Sequence, residues 1–259
     1  MKNTNGHIPH MVTKFESLIS WLTFPIYVWQ GLGVRRKTVR LDPPPRQPFV
    51  TAKPKKKSKK PPMSVMVLGD SSAVGVGVTD FKNSVAGQLP YQLAEKTGRE
   101  VTVHTVGNNS ATAGDLLNYV VPNLAAANYD FIALQIGTND AKNFHSGNRF
   151  CKEFGRLLYA LHAKFPNAQI IWSGVIDLAQ VEMLPKPLNY ILGIRSRIID
   201  RNGKILCVER NAHGPKSKWQ PIKENFSIDG FHASEKGYRL WAEELSDYIV
   251  EYETRPLAE

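Results

Sequence analysis

Between residues 64 and 252, short apolar runs rich in β-branched residues alternate with segments of helical periodicity. The sequence predicts strands at residues 65–68, 101–106, 131–136, 169–175 and 204–208, and helices at residues 84–96, 114–124, 150–164, 188–199 and 234–252. Because strands that alternate with helices form a parallel sheet covered on both faces, we expect a three-layer α/β domain. Its five-stranded parallel sheet should be doubly wound and flavodoxin-like.

The overall composition is that of a globular protein, with 42% hydrophobic and 22% charged residues in a chain of 259. This excludes a disordered, collagen-like or polytopic membrane protein, and the length allows one large domain or two small ones. Cys151 and Cys207 are the only cysteines, too few for a disulfide-dense scaffold or a multi-cysteine zinc site. They leave the redox compartment open.

The excess of basic residues lies entirely in the first part of the chain. The net charge is +10, but residues 1–62 hold 13 basic and 2 acidic side chains, which leaves a net charge of −1 for residues 63–259. Residues 15–34 are mostly apolar and aromatic, and residues 35–62 form a basic segment rich in proline and lysine, for which we expect an extended, solvated linker. We therefore predict an N-terminal leader, residues 1–62, and a folded domain, residues 63–259.

The apolar segment at residues 15–34 permits three interpretations. Apolar residues recur in it at helical spacing, namely Phe15, Leu18, Ile19, Leu22, Ile26 and Trp29. The segment is an interfacial or short membrane anchor, a helix packed on the main domain or on a partner, or a cleaved signal peptide. As an anchor, with its positive flank on the C-terminal side, it would leave the main domain in the cytoplasm, attached to the cytoplasmic face. Residues 15–60 are then a candidate for contact with an anionic membrane surface.

Polar segments that contain glycine follow the first three predicted strands. These segments are Gly69-Asp70-Ser71-Ser72, Gly107-Asn108-Asn109-Ser110 and Gly137-Thr138-Asn139-Asp140, and a fourth, Asp229-Gly230-Phe231-His232, precedes the last helix. Because sites in doubly wound sheets lie at the carboxyl ends of the strands, we expect the first three segments to converge.

Together these segments supply the groups that acyl transfer to a serine needs. Ser71 lies at a strand-to-helix turn, where a hydroxyl is exposed, and His232 is placed to take its proton. Asp229, three residues earlier, is near enough to orient the imidazole. Gly107 offers a backbone N–H and Asn139 a side-chain amide for the oxyanion. Each segment alone is common in ordinary turns and helix caps, but the combination is far more specific.

The order of these motifs resembles that of the SGNH (GDSL) hydrolase family of esterases, lipases and acyl-processing enzymes. The match covers residues 63–252 and no part of the leader. It rests on Val67-Leu68-Gly69-Asp70-Ser71, on Gly107 with Thr112, on Gly137-Thr138-Asn139-Asp140, and on Asp229 with His232. The second block departs from the family pattern, since Thr105 and Ser110 replace its usual Asn and Gly. Ala233 follows His232 where proline is common.

The resemblance implies a catalytic triad of Ser71, Asp229 and His232, with no cofactor and no metal. It also implies an oxyanion hole made by the N–H groups of Ser71 and Gly107 and the amide of Asn139. The expected reaction is hydrolysis of a carboxylic ester or thioester, in a small molecule or a lipid, through an acyl-enzyme. Acyl transfer on the same scaffold stays open, as does a non-catalytic, membrane-tethered binding module.

Other types of site find less support in the sequence. A dinucleotide motif would need a third glycine after Gly75 and Gly77, but Asp80 stands there, and no Gly-Lys-Ser/Thr suggests a P-loop. The histidines lack His-x-x-x-His and Glu-x-x-His spacing, so we do not expect metal catalysis. We interpret His162 as structural, and His145 as either a wall of the acyl pocket or a solvated loop residue. The lysine run has no nucleic-acid-reading motif beside it, so nucleic acid is not an expected partner.

Overall fold

A central six-stranded sheet organises the chain, whose computed structural model describes residues 10–45, 47–215 and 219–255. The strands are β1 (Phe49–Ala52), β2 (Met63–Gly69), β3 (Val101–Gly107), β4 (Phe131–Gln135), β5 (Gln169–Trp172) and β6 (Ala212–His213), in the spatial order β1-β3-β2-β4-β5-β6. Strands β2 to β6 are parallel, and β1 pairs with β3 in the antiparallel sense. The parallel part therefore has the predicted doubly wound order.

Helices cover both faces of the sheet and make it the middle of three layers. On one face lie α3 (Val85–Thr97) and α8 (Glu235–Thr254), and on the other lie α6 (Gly147–Lys164) and α7 (Leu188–Glu209). Strand β2 is buried on both faces, because Val65 and Val67 enter the first core while Met66 and Leu68 enter the second. The short helices α4 (Ala113–Asp115) and α5 (Thr138–Lys142) follow β3 and β4 at the carboxyl edge. The predicted three-layer α/β fold is confirmed.

The fifth predicted strand is wrong. Residues 204–208 form the last part of α7, in which Leu206 and Cys207 are buried while Ile205 and Val208 are exposed. A short apolar run carries too few positions to distinguish strand from helix periodicity. The last strand is instead the two-residue β6, just after α7. The helix predicted at residues 114–124 is confirmed only for its first turn, after which a π turn and a 3₁₀ turn with Pro122 end it.

Part of the segment expected to be a solvated linker belongs to the sheet. Residues Phe49–Ala52 form the edge strand β1, which turns Val50 and Ala52 inward and Phe49 and Thr51 outward. The expectation of a fully extended, solvated linker is therefore wrong for these four residues. The domain boundary at residue 62 stays a prediction, although the leader packs on the main domain.

The apolar segment of the leader forms two helices, α1 (His10–Leu22) and α2 (Phe24–Lys37), which pack against α7. Glu16 forms an ion pair with Arg201, and Gln30 both donates to the Lys186 carbonyl (3.1 Å) and accepts from the Leu188 N–H (3.0 Å). Of the three interpretations, a helix packed on the main domain matches this arrangement. None of the described helices is both long enough and apolar enough to cross a membrane.

Candidate active site

Two glycines allow the ends of the central strands to come close together. A Cβ on Gly69 would lie 2.1 Å from the Gln135 carbonyl oxygen, and one on Gly107 would lie 2.6 Å from the Gly69 carbonyl oxygen. Neither position has space for a side chain, so the residue type is fixed by the approach of the neighbouring strand. The turn that follows β2 begins at this point and carries Ser71.

The three predicted catalytic side chains lie within hydrogen-bonding distance of one another. The Oγ atom of Ser71 is 3.0 Å from the Nε2 atom of His232, and the Nδ1 atom of His232 is 2.6 Å from Oδ2 of Asp229. Ser71 and Asp229 are buried and His232 is partly buried. With Nδ1 donating to Asp229, Nε2 is left as the acceptor that faces the serine hydroxyl.

Asp229 is held as a carboxylate by its hydrogen bonds. Burial acts to raise its pKa, but the side chain of His232 and the N–H of Phe231 donate to it, and its pKa is held below the ordinary value. Its Oδ1 accepts from the backbone N–H groups of Phe231 (2.9 Å) and His232 (3.0 Å). The Asp-x-x-His spacing thus folds the loop back onto its own aspartate, which fixes the direction of the histidine ring.

The residues predicted to supply the oxyanion donors lie at or just after the carboxyl ends of β2, β3 and β4, which are neighbours in the sheet. The N–H of Ser71 has no protein acceptor among the described residues. Gly107 is the last residue of β3 and is paired with Gly69, two residues before Ser71. The Asn139 Nδ2 donates to the Ala111 carbonyl at 3.0 Å and, over a longer 3.3 Å, to Oδ2 of Asp70.

Asp70 is a buried carboxylate directly beside the serine. Burial raises its pKa from 3.8 to about 6, against the opposing effects of the hydrogen bond from the Ser72 N–H and of the neighbouring His232 and Lys142. Its Oδ1 accepts from the Ser72 N–H at 2.9 Å, which closes the turn around Ser71. The sequence shows Asp70 as part of the segment Gly69-Asp70-Ser71 but does not predict its burial or its contact with Ser72.

The loop that carries His232 is docked against the turn after the serine, through contacts that sequence reasoning missed. Ser227 Oγ donates to the Gly77 carbonyl (2.8 Å), and the Tyr238 hydroxyl donates to the Val76 carbonyl (2.7 Å). Gly77 has φ 113°, and a Cβ there would lie 2.3 Å from the Ala233 carbonyl oxygen. The sequence signal for the close approach of Gly77 to Ala233 is the pair of glycines, Gly75 and Gly77, that follows Ser71.

A cleft of about 700 Å³ opens next to Ser71 and His232. It runs from Thr138 and Asn139 along the carboxyl ends of β5 and β6, and several large apolar or aromatic side chains line it, among them Trp172, Val175, Ile176, Trp219 and Trp241. A mainly apolar cleft beside a nucleophile accommodates an organic acyl or alcohol group.

His145 neither lines the cleft nor lies in a solvated loop. It is buried, its Nδ1 lies 3.1 Å from Oδ1 of Asp140, and its carbonyl accepts from Arg195. It therefore supports the Asn139-bearing segment rather than lining the cleft. Glu153 joins Asp140 and His145 in a group whose ligand atoms lie within 4.8 Å, away from the cleft-lining residues. His162 is structural as predicted, since its Nε2 contacts the Arg210 carbonyl at 2.8 Å.

The comparisons with known proteins agree with this geometry. Residues 67–240 match the model of the GDSL-like lipase/acylhydrolase family. The chain belongs to this family. It is therefore a hydrolase of the esterase and lipase type, and the resemblance deduced from the motifs is confirmed. No curated protein matches the chain in sequence.

Three solved structures of other proteins share the fold at low sequence identity. A psychrotrophic esterase from Pseudoalteromonas sp., in a form inhibited by monoethylphosphonate, is 15% identical with a TM-score of 0.59, over 74% of this chain and 99% of its own. A lipase/acylhydrolase from Enterococcus faecalis is 15% identical with a TM-score of 0.53, over 76% and 100%. A phospholipase A1 from Streptomyces albidoflavus is also 15% identical, with a TM-score of 0.50, over 75% and 100%. These likenesses concern the fold.

Proposed function

We propose that this GDSL-type hydrolase cleaves a carboxylic ester or thioester through an acyl-enzyme on Ser71. The observation that carries the proposal is the continuous chain of contacts from Asp229 through His232 to the Ser71 hydroxyl. The cleft next to this chain supports a small organic ester or a lipid as the substrate class.

In the acylation step, His232 Nε2 takes the hydroxyl proton as Ser71 Oγ attacks the substrate carbonyl carbon. The positive charge that forms on the imidazole is stabilised by the carboxylate of Asp229, which stays ionised because its pKa is low. His232 then gives the proton to the departing alcohol or thiol, and the acyl group remains on Ser71.

The oxyanion of the tetrahedral intermediate is bound by the N–H groups of Ser71 and Gly107 and by the amide of Asn139. Asn139 has a donor for it, because its bond to Asp70 is the longer of its two hydrogen bonds and is exchanged for one to the oxyanion. Its shorter bond to the Ala111 carbonyl keeps the amide in place during this exchange.

In the deacylation step, His232 removes a proton from water as the water oxygen attacks the acyl carbon, and it returns this proton to Ser71 Oγ when the acid leaves. An acceptor alcohol in place of water would make the protein an acyltransferase by the same steps. Measuring free acid against transferred ester, with and without added alcohols of increasing size, distinguishes these products. Hydrolysis predicts that free acid dominates in every mixture.

The direct test uses a fluorophosphonate probe and short p-nitrophenyl esters. The wild-type chain should be labelled and should turn over the esters, and Ser71→Ala should do neither. Ser72→Ala is the matched control, because it removes the adjacent hydroxyl, which has no contact with His232. Labelling that survives in Ser71→Ala, or is lost in Ser72→Ala alone, contradicts the proposal.

A further inference from the structure

The leader helices turn an apolar face away from the protein. Six residues spaced alternately by three and four lie on this face, which we call the apolar stripe: Phe15, Leu18, Leu22, Pro25, Trp29 and Leu32. The five large side chains of the stripe are 64%, 56%, 72%, 75% and 50% exposed, in the order Phe15, Leu18, Leu22, Trp29, Leu32. Backbone hydrogen bonds from the Thr23 N–H to the Ile19 carbonyl and from the Tyr27 N–H to the Thr23 carbonyl join the two helices, so the stripe extends about 25 Å along them.

The opposite face of the same helices makes polar contacts with the domain. Ser20 is fully buried and accepts from Nη1 of Arg195 at 3.3 Å, while Glu16 is paired with Arg201. In α2, the Tyr27 hydroxyl donates to the Lys142 carbonyl at 2.5 Å, and the side chain of Gln30 accepts a hydrogen bond from the first N–H of α7. A surface helix normally buries its apolar face and exposes its polar face. Here much of the polar side faces the protein, and the apolar stripe faces outward.

Contiguous exposed apolar surface of this kind marks a contact with another phase or molecule. The charge around the stripe favours a lipid surface over a second copy of the chain. Exposed Arg35, Arg36 and Lys37 end α2, and the only acidic residue of α1 and α2, Glu16, is paired inward. Paired helices with this spacing commonly carry acidic and basic residues beside the seam, but the one acidic residue of 15–37, Glu16, is paired with Arg201 of the domain instead.

We propose that the apolar stripe lies in the interface of an anionic membrane, with Arg35, Arg36 and Lys37 at the lipid headgroups. Tryptophan, phenylalanine and leucine on one face next to a basic cluster are typical of helices that lie in the plane of a membrane. Each basic residue near an anionic surface adds attraction. The helix pair stays folded on the domain while it binds, because its polar contacts face inward.

This surface is linked to the candidate active site. Lys142, which accepts the hydroxyl of Tyr27, follows Asn139 by three residues in the same short helix. The rings of Trp21 and Phe24 also contact Phe144, with centroids 5.2 and 5.1 Å apart. Membrane contact would therefore hold the Asn139-bearing segment next to a source of lipid esters, although binding itself does not depend on the proposed reaction.

Co-flotation of the full chain with vesicles tests the proposal. The vesicles are of phosphatidylcholine alone, or of phosphatidylcholine with about a third of phosphatidylserine. We expect binding that is stronger to the anionic vesicles and a blue shift of tryptophan fluorescence. The double variant Leu22→Glu with Trp29→Glu should lower the partition coefficient by about tenfold or more, since both side chains lose apolar contact.

Tyr91→Glu is the matched control, because Tyr91 is an exposed aromatic residue on α3, which covers the face of the sheet opposite to α7 and the leader. It should bind vesicles as the wild type does, and thermal unfolding should show that both variants are folded. Wild-type protein that does not float, or a double variant that floats as well as the control, overturns the proposal. A stable dimer in sedimentation velocity that the double variant dissociates also overturns it, because the stripe is then an interface between copies.

Discussion

The Nε2 atom of His232 lies 3.0 Å from the Oγ atom of Ser71, although 161 residues separate the two in sequence. The contact exists because the loop of residues 227–233 rests on the turn that follows Ser71, through Ser227, Gly77 and Tyr238.

Removing the imidazole should abolish most of the activity. We expect His232→Ala to lower kcat for a short ester by about 10⁴-fold or more, because among the described residues the His232 ring is the group in contact with the Ser71 hydroxyl. His162→Ala, which removes a ring that contacts the Arg210 carbonyl and does not line the cleft, should keep wild-type kcat. Steady-state kinetics of both variants checks this, and a similar loss in the two would argue against a specific role of His232.

Asp229→Asn should lower kcat by about 10⁴-fold while the loop keeps its conformation. The amide oxygen can still accept from the N–H groups of Phe231 and His232, but the ring of His232 loses its carboxylate partner. Kinetics together with thermal unfolding separates the two effects. Activity close to wild type in a folded variant would show that Asp229 does not orient the base.

Asn139→Ala should lower kcat by about 100- to 1,000-fold, the usual effect of removing one oxyanion donor. KM should change much less, because the donor acts mainly in the transition state. Asn143→Ala, an exposed asparagine one turn later, is the control and should have no effect. An increase in KM alone would assign Asn139 to ground-state binding.

Asp70→Asn should gain stability relative to the wild type as pH rises. In the folded protein the pKa of Asp70 is about 6 instead of 3.8, so the folded form keeps a proton that the unfolded form has lost. The wild-type free energy of unfolding therefore falls between about pH 4 and pH 6, by at most about 3 kcal/mol, and the asparagine variant lacks this loss. Urea unfolding of both proteins across this range measures it, and a difference that does not vary with pH would contradict it.

Gly77→Ala should reduce both stability and activity. The added Cβ would lie 2.3 Å from the Ala233 carbonyl oxygen at a φ of 113°, so the His232 loop must shift. We expect a loss of about 2 kcal/mol in the free energy of unfolding, with a lower kcat. Gly31→Ala has open space around its Cβ and lies inside α2, so it should be neutral or gain up to about 1 kcal/mol. If the two variants change the free energy of unfolding equally, the close contact of Gly77 with the His232 loop does not contribute to stability.

The sequence predicts the parts of this molecule that depend on local pattern. Strands β2 to β5 and the residues that follow them are evident because each is rich in apolar or β-branched residues and is followed by a glycine within two residues or ends at one. Strand β6 has two residues and β1 exists through its pairing with β3, so neither carries a periodicity of its own. The role of Gly77 depends on a contact with Ala233, and the raised pKa of Asp70 depends on burial. Both effects arise from residues that are distant in sequence and meet only in the folded protein.

The edge strand β1 has a consequence for how the protein is produced. A chain shortened to begin at residue 63 would leave the outer hydrogen-bonding groups of β3 unpaired along residues Val101–His104. An open strand edge is a template for pairing with other chains, so such a product should tend to self-associate and precipitate. Shortened forms that keep residues 47–62 retain this protection while they lose the helices that carry the apolar stripe.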